Sequence, residues 1–292
     1  LLVFGVFLGL NFICMSLIDV CIDKTLLENS PTEKVKNNNT LFVRLGLMMG
    51  ALFPILTFLV LFSNSYYIDS WALFFFISFF TIMPLLFIAP FISIDIEMPD
   101  NTSTLKDNDI TDKINAKSIF CMCIFMFLLY ALRLYEYPFE PWVLKKYFHG
   151  NYMYFSLFIF TMVIMNTLGL IIAGIVSHKH DRRKILMISV FLYGILTIIA
   201  PFTNLIMFLI LASQIQFIAG FVLINSMMMT IDLSKKKVMY FQIIMSFAIL
   251  ANVVFIPLGT YLSIYIQTEF IAMLAGIIIL FSLIPLIFIT NR

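Results

Sequence analysis

Apolar runs of roughly 17 to 28 residues recur along the whole chain, each long enough to carry a helix across ~30 Å of hydrocarbon, and they are parted only by short charged clusters. No soluble core of 292 residues hides so much apolar surface: 62% of the residues are hydrophobic, 12% are charged, and the mean hydropathy is +1.04. Lipid must cover the excess. A closed β-barrel also satisfies its backbone in lipid, but it needs short strands with alternating polar positions, and a run such as Trp71 to Ile92 does not alternate. The expected fold class is therefore all-α, a polytopic transmembrane helical bundle.

Spans are expected at about 1–19, 42–63, 71–94, 118–137, 152–177, 185–201, 204–231, 238–262 and 269–290, giving about nine helices. The basic residues take sides. All but Arg133, Lys145 and Lys146 of the 18 Lys and Arg fall in loops 20–41, 95–117, 178–184 and 232–237, at Arg44 just beyond the first of these, or at the C-terminal Arg292. By the positive-inside rule those loops and the C-terminus face the cytoplasm. The outer connections near Ser63 to Ser70, Pro201 to Asn204 and Ile266 to Glu269 carry no Lys or Arg.

Several features close off other classes. A formal charge of +2, scattered over separate loops, does not suit nucleic-acid binding. Cys14, Cys21, Cys121 and Cys123 lie in or beside apolar runs and read as packing residues, with neither a disulfide framework nor a metal-ligand pattern around them. No phosphate-binding loop of the Gly-x-x-x-x-Gly-Lys-Ser/Thr type occurs, so ATP-driven pumping by this chain alone is disfavoured; no cofactor is expected. The sequons at Asn38 and Asn101 fall in loops assigned to the cytoplasm and read as chance. Leu1 opens directly into an apolar stretch without a charged leader, which leads us to expect a fragment that has lost its N-terminus.

The segment from Asp95 to Lys117 mixes acids, bases and small polar residues and reads as a linker between two bundles. It divides the chain into 1–94, with three spans, the cytoplasmic linker 95–117, and 118–292, with six. Between the second and third of those six comes Gly174-Ile175-Val176-Ser177-His178-Lys179-His180-Asp181-Arg182-Arg183. This resembles the hinge motif of the major facilitator superfamily, approximately Gly-x-x-x-Asp-Arg-x-Gly-Arg-Arg/Lys. Gly174, Lys179, Arg182 and Arg183 match, while His178 stands for the usual acid and Asp181 for the second glycine. Near the front, Asp19, Asp23, Pro31, Glu33, Lys34, Arg44, Gly46 and Gly50 resemble the fourth helix, loop and fifth helix of several branches, including muropeptide-permease-like and acetyl-coenzyme-A-transporter-like members.

The resemblance implies two bundles that rock about a central site, with Gly174, Lys179, Asp181, Arg182 and Arg183 at a cytoplasmic gate. Helix-end cations suit that work because they meet acceptor groups and helix C-termini when the gate is shut. A plain topogenic charge cluster is the competing account. Asp19 and Asp23 share one helix face, and Arg44 is the cation nearest to them by topology, which points to a structural ion pair.

Polar residues inside spans are costly and tend to line a bundle interior. Arg133 and Glu136, three apart, stand near Tyr130, Tyr137 and Glu140, a cluster suited to a polar solute head or to a coupling proton. An interfacial belt with Arg133 snorkelling and Trp142 as anchor explains the same residues equally well. Asn166, Thr167, Gln214, Gln216, Asn225 and Asn252 are the neutral candidates. Gln214 and Gln216 are separated by about 200° on a helix, so only one of them faces a given cavity, and Gln214 is the one taken into the candidate set with Asn166, Asn225 and Asn252.

The expected function is secondary-active transport of an unspecified small solute, with the lipid bilayer as the surrounding partner, in the cell membrane or an organellar one. Two other classes stand beside it: a non-transporting scaffold or sensor on the same fold, and an integral membrane transferase. His149, His178 and His180 form no catalytic or metal-binding pattern, which argues against the enzyme.

Overall fold

The computed structural model describes Gly46 and residues 116–177, 181–234 and 238–289. The first three expected spans, the group Asp19, Asp23 and Arg44, most of the linker, and Lys179 lie outside the described residues. Within them the chain is helical throughout, without a strand, and six helical stretches are long and apolar enough to cross a membrane.

The first span is broken. Helix α1 (Ala116–Leu129) passes through a 3-10 turn, Tyr130–Leu132, into α2 (Arg133–Lys146), which holds Pro138 and Pro141. Pro138 has no N–H to give the carbonyl of Leu134, so that oxygen loses its helical partner. Helix α6 (Val238–Leu262) fills the gap with Gly259, whose backbone lies so close to the Leu134 oxygen that a Cβ would stand 1.6 Å from it. The contact is of the Cα–H···O kind that recurs where helices touch.

Helices α3 (Tyr152–Val176) and α5 (Leu205–Ser234) cross closely through Gly169 and Gly220, and α4 (Arg182–Ile199) meets α7 (Thr268–Phe281) through Gly194 and Gly276. Small residues at a crossing bring backbones together, which is how helices associate where lipid removes the hydrophobic drive. A last short helix, α8 (Leu283–Phe288), packs against α1 and α4. The broken first span is the most buried of the six, while α3, α5 and α6 leave faces such as Ile164, Ile206 and Val253 exposed, as lipid-facing surfaces require.

Caps outside the apolar windows mark where helices begin. Asn151 accepts from the Met153 and Tyr154 amides at the head of α3, and Asp181 accepts from the Arg183 amide at the head of α4. The expected 185–201 thus starts three residues earlier, because Asp181 caps a helix whose first turn is basic.

Polar contacts sort the bundle into two ends. At one, Arg182 pairs with Asp232 at 2.6 Å, Arg183 donates to the Ile287 carbonyl, and Lys117 lies over the Phe288 ring. At the other, Lys146 bonds Glu269 at 2.9 Å and the Pro201 carbonyl at 3.0 Å, while Tyr147 donates to the Thr203 carbonyl at 2.9 Å. The residues flanking loops 178–184 and 232–237 therefore share one end of the bundle.

Candidate functional site

A cavity of about 480 Å³ opens between the broken first span, α3, α4 and α5. Its walls are mainly aromatic and aliphatic, with Phe139, Phe158 and Phe208 prominent, and a few polar groups converge on it. This is the general composition of a small-molecule site.

The 3-10 turn decides what the cavity presents. It changes the winding between α1 and α2 immediately before Arg133, and Tyr130, Arg133, Glu136 and Glu140 all line the cavity. Arg133 Nη1 donates to Glu136 Oε2, three residues on, so this pair is neutral as a unit. The two side chains are 37% and 41% exposed, which leaves both open to a solute and makes their pairing worth little to stability. Glu140 lies at the exposed mouth, one turn further, where partial desolvation and then the Glu136 charge push its carboxyl above the ordinary range.

Across the cavity, Asn166 Nδ2 donates to the backbone carbonyl of Gln216 at 3.2 Å and to its Oε1 at 3.4 Å. The Asn166 Oδ1 is buried and has no hydrogen-bond partner among the described residues. An unsatisfied buried acceptor is expensive.

Of the expected neutral residues, the structure brings Asn166 to the cavity and turns Gln214 to the exposed surface; Gln216 lines the wall instead. The two glutamines thus face different ways, as a separation of about 200° requires. Asn225 is buried elsewhere between α3 and α5, accepting from Ser177 Oγ at 2.6 Å and donating to the Phe221 carbonyl at 2.8 Å. Asn252 does not line this cavity either, and its buried Oδ1 lacks a partner among the described residues.

Gly174 is buried in the last turn of α3. Asp181, Arg182 and Arg183 are engaged within the bundle, as a cap, an ion pair with Asp232 and a donor to the end of α8.

Residues 112–292 match the family model for the Major Facilitator Superfamily. The chain belongs to the Major Facilitator Superfamily. No curated protein and no solved structure matches it. The match covers the six described spans and the Gly174 to Arg183 segment, and makes the chain a member of a family of multi-pass membrane transport proteins.

Two ion pairs join residues far apart in the chain. Lys146 and Glu269 lie 123 residues apart, and nothing local to either announces the pair. Asp232, a lone acid just before Lys235, Lys236 and Lys237, was the available signal for the partner of Arg182.

Proposed function

We propose that this chain forms part of a secondary-active transporter that moves a small solute by alternating access, with the cavity beside the broken first span as part of the solute path. The observation that carries this reading is the Arg133–Glu136 pair, half-exposed inside a cavity whose other walls are mainly apolar. A membrane segment tolerates such charges where they serve a solute or a coupling ion. Glu136 and Glu140 are the candidates for a coupling proton.

In this account the helices of 1–94 form the facing bundle, with 95–117 as the connector. The end that carries Arg182, Arg183 and Asp232 faces the cytoplasm, because the excess of Lys and Arg clusters there. The Arg182–Asp232 pair and the Arg183 contact with α8 brace that end, and Gly174 and Lys179 belong to the same gate region.

Solute uptake by the full-length protein in proteoliposomes, screened over solutes of different charge, tests the proposal. The Arg133→Gln/Glu136→Gln double variant is expected to lose uptake while still inserting and folding. Unchanged uptake in that variant would leave an interfacial belt as the account of these residues, and absence of uptake for every solute by the wild type would favour a scaffold or sensor.

A further inference from the structure

Among the described residues, the charges that line the cavity do not balance. Among the described residues that line it, Arg133 is the only cation, and Glu136 and Glu140 are the anions. Arg133 is committed to Glu136, so Glu140 carries the surplus. The facing walls supply nothing to offset it: α3 and α5 present Phe158, Phe208, Asn166 and Gln216 there, and α4 presents Tyr193 and Thr197. Of the two cations further along α2, neither of which lines the cavity, Lys146 is taken up by Glu269 and the Pro201 carbonyl at the end of the bundle, and Lys145 follows Glu140 by five residues.

Aromatic faces carry negative potential, and three phenylalanine rings and three tyrosine rings border this space. Surplus negative charge and ring faces favour the same kind of guest. The geometry points to an organic cation with an apolar or aromatic body as the solute class, with Glu140 as its counter-charge. This rests on the transport reading for its biological meaning but not for its measurement.

A cation beside Glu140 stabilises the ionised carboxylate, so guest and proton compete for it. The direction follows from the raised titration of Glu140: affinity is low where the carboxyl is protonated and climbs as pH rises through its folded-state value. Arg133, Glu136, Tyr130, Tyr135 and Tyr193 are the other charged or titratable groups around the cavity, and Arg133 opposes a cationic guest.

Trp142 provides the readout. Its ring lies 5.8 Å from Phe139 and 6.1 Å from Phe208, both of which line the cavity, and the only other tryptophan is Trp71. In a Trp71→Phe background of the full chain in nanodiscs, fluorescence titration compares 2-phenylethylammonium with 3-phenylpropanoate, an anion of similar shape. The cation is expected to quench saturably and the anion not to. Glu140→Gln is expected to weaken the cation by about tenfold, as loss of one partly screened counter-charge would do, and to abolish the rise of affinity with pH. Arg133→Gln, which frees Glu136, is expected to tighten it.

Equal or tighter binding of the anion, loss of affinity in Arg133→Gln without loss in Glu140→Gln, or no saturable binding of the cation would overturn the inference. The titration is made at equilibrium without a gradient. Cation binding without any uptake would therefore sink the transport reading alone, and uptake of anionic solutes without cation binding would sink this one alone.

Discussion

Gly259→Ala adds a single methyl group, and the geometry makes it a severe change. The new Cβ would stand 1.6 Å from the Leu134 carbonyl oxygen and 2.5 Å from its carbon, where real contacts stay beyond 3.0 Å. Helices α2 and α6 must therefore part by roughly 1.4 Å, and a close-packed interior transmits such a shift. The cost belongs at the upper end of overpacking, about 3 kcal/mol, which corresponds to a fall in melting temperature of roughly 6–12 °C at ~2–4 °C per kcal/mol. Because the obstacle is backbone, truncating the Leu134 side chain brings no relief. Gly194→Ala is the control: its Cβ would meet the Leu280 side chain at 2.7 Å and the Gly276 carbonyl oxygen only at 3.2 Å, so Leu280→Ala should relieve most of the cost of Gly194→Ala in the double variant. Leu134 directly follows Arg133, so the same displacement should shift the Arg133–Glu136 pair and weaken solute binding. Fluorescence-detected melting in detergent, followed by uptake, checks both. A Gly259→Ala protein that melts within about 2 °C of wild type, or one rescued by Leu134→Ala, would refute the reasoning.

Other expectations follow from particular contacts. Arg182→Ala and Asp232→Ala should each destabilise the protein by about 1–2 kcal/mol, discounted for partial exposure, and a double-mutant cycle should show the two effects to be strongly non-additive. Ser177→Ala removes the buried donor to Asn225 Oδ1 and should cost about 1–2 kcal/mol in thermal denaturation, whereas Ser177→Thr, which keeps the hydroxyl, should cost less. Asn151→Ala strips the cap from α3 and should cost about 1 kcal/mol, with Asn151→Asp close to wild type in the same assay.

Much of this architecture is legible in the sequence, for a physical reason. Lipid demands long uninterrupted apolar runs and leaves charges only at their ends, so composition alone marks out the six described helices to within a few residues. Arg182 and Arg183 at a helix start, and Arg133 three residues before Glu136, are likewise local patterns, and the structure keeps each pair of neighbours in one helix. What the pattern hides is rotation and long-range pairing. A uniformly apolar helix such as α5 gives no amphipathic signal for its facing side, so nothing distinguished Gln216 from Gln214. The 3-10 turn at Tyr130–Leu132 is similarly silent, because no Gly or Pro lies within it and the nearest proline, Pro138, comes later in the chain. Lys146 finds Glu269 only after four further helices have been placed.

In the proposed transport cycle, the cavity beside the broken first span opens alternately to the two sides of the membrane. Ala219, on the α5 wall of that cavity, offers the most direct test. With Cys14, Cys21, Cys121 and Cys123 replaced and Ala219→Cys introduced, an impermeant maleimide is applied to right-side-out and inside-out vesicles. The account predicts labelling from both faces, with a solute that is taken up raising one rate and lowering the other. Labelling from one face alone, at a rate that such a solute leaves unchanged, would contradict it.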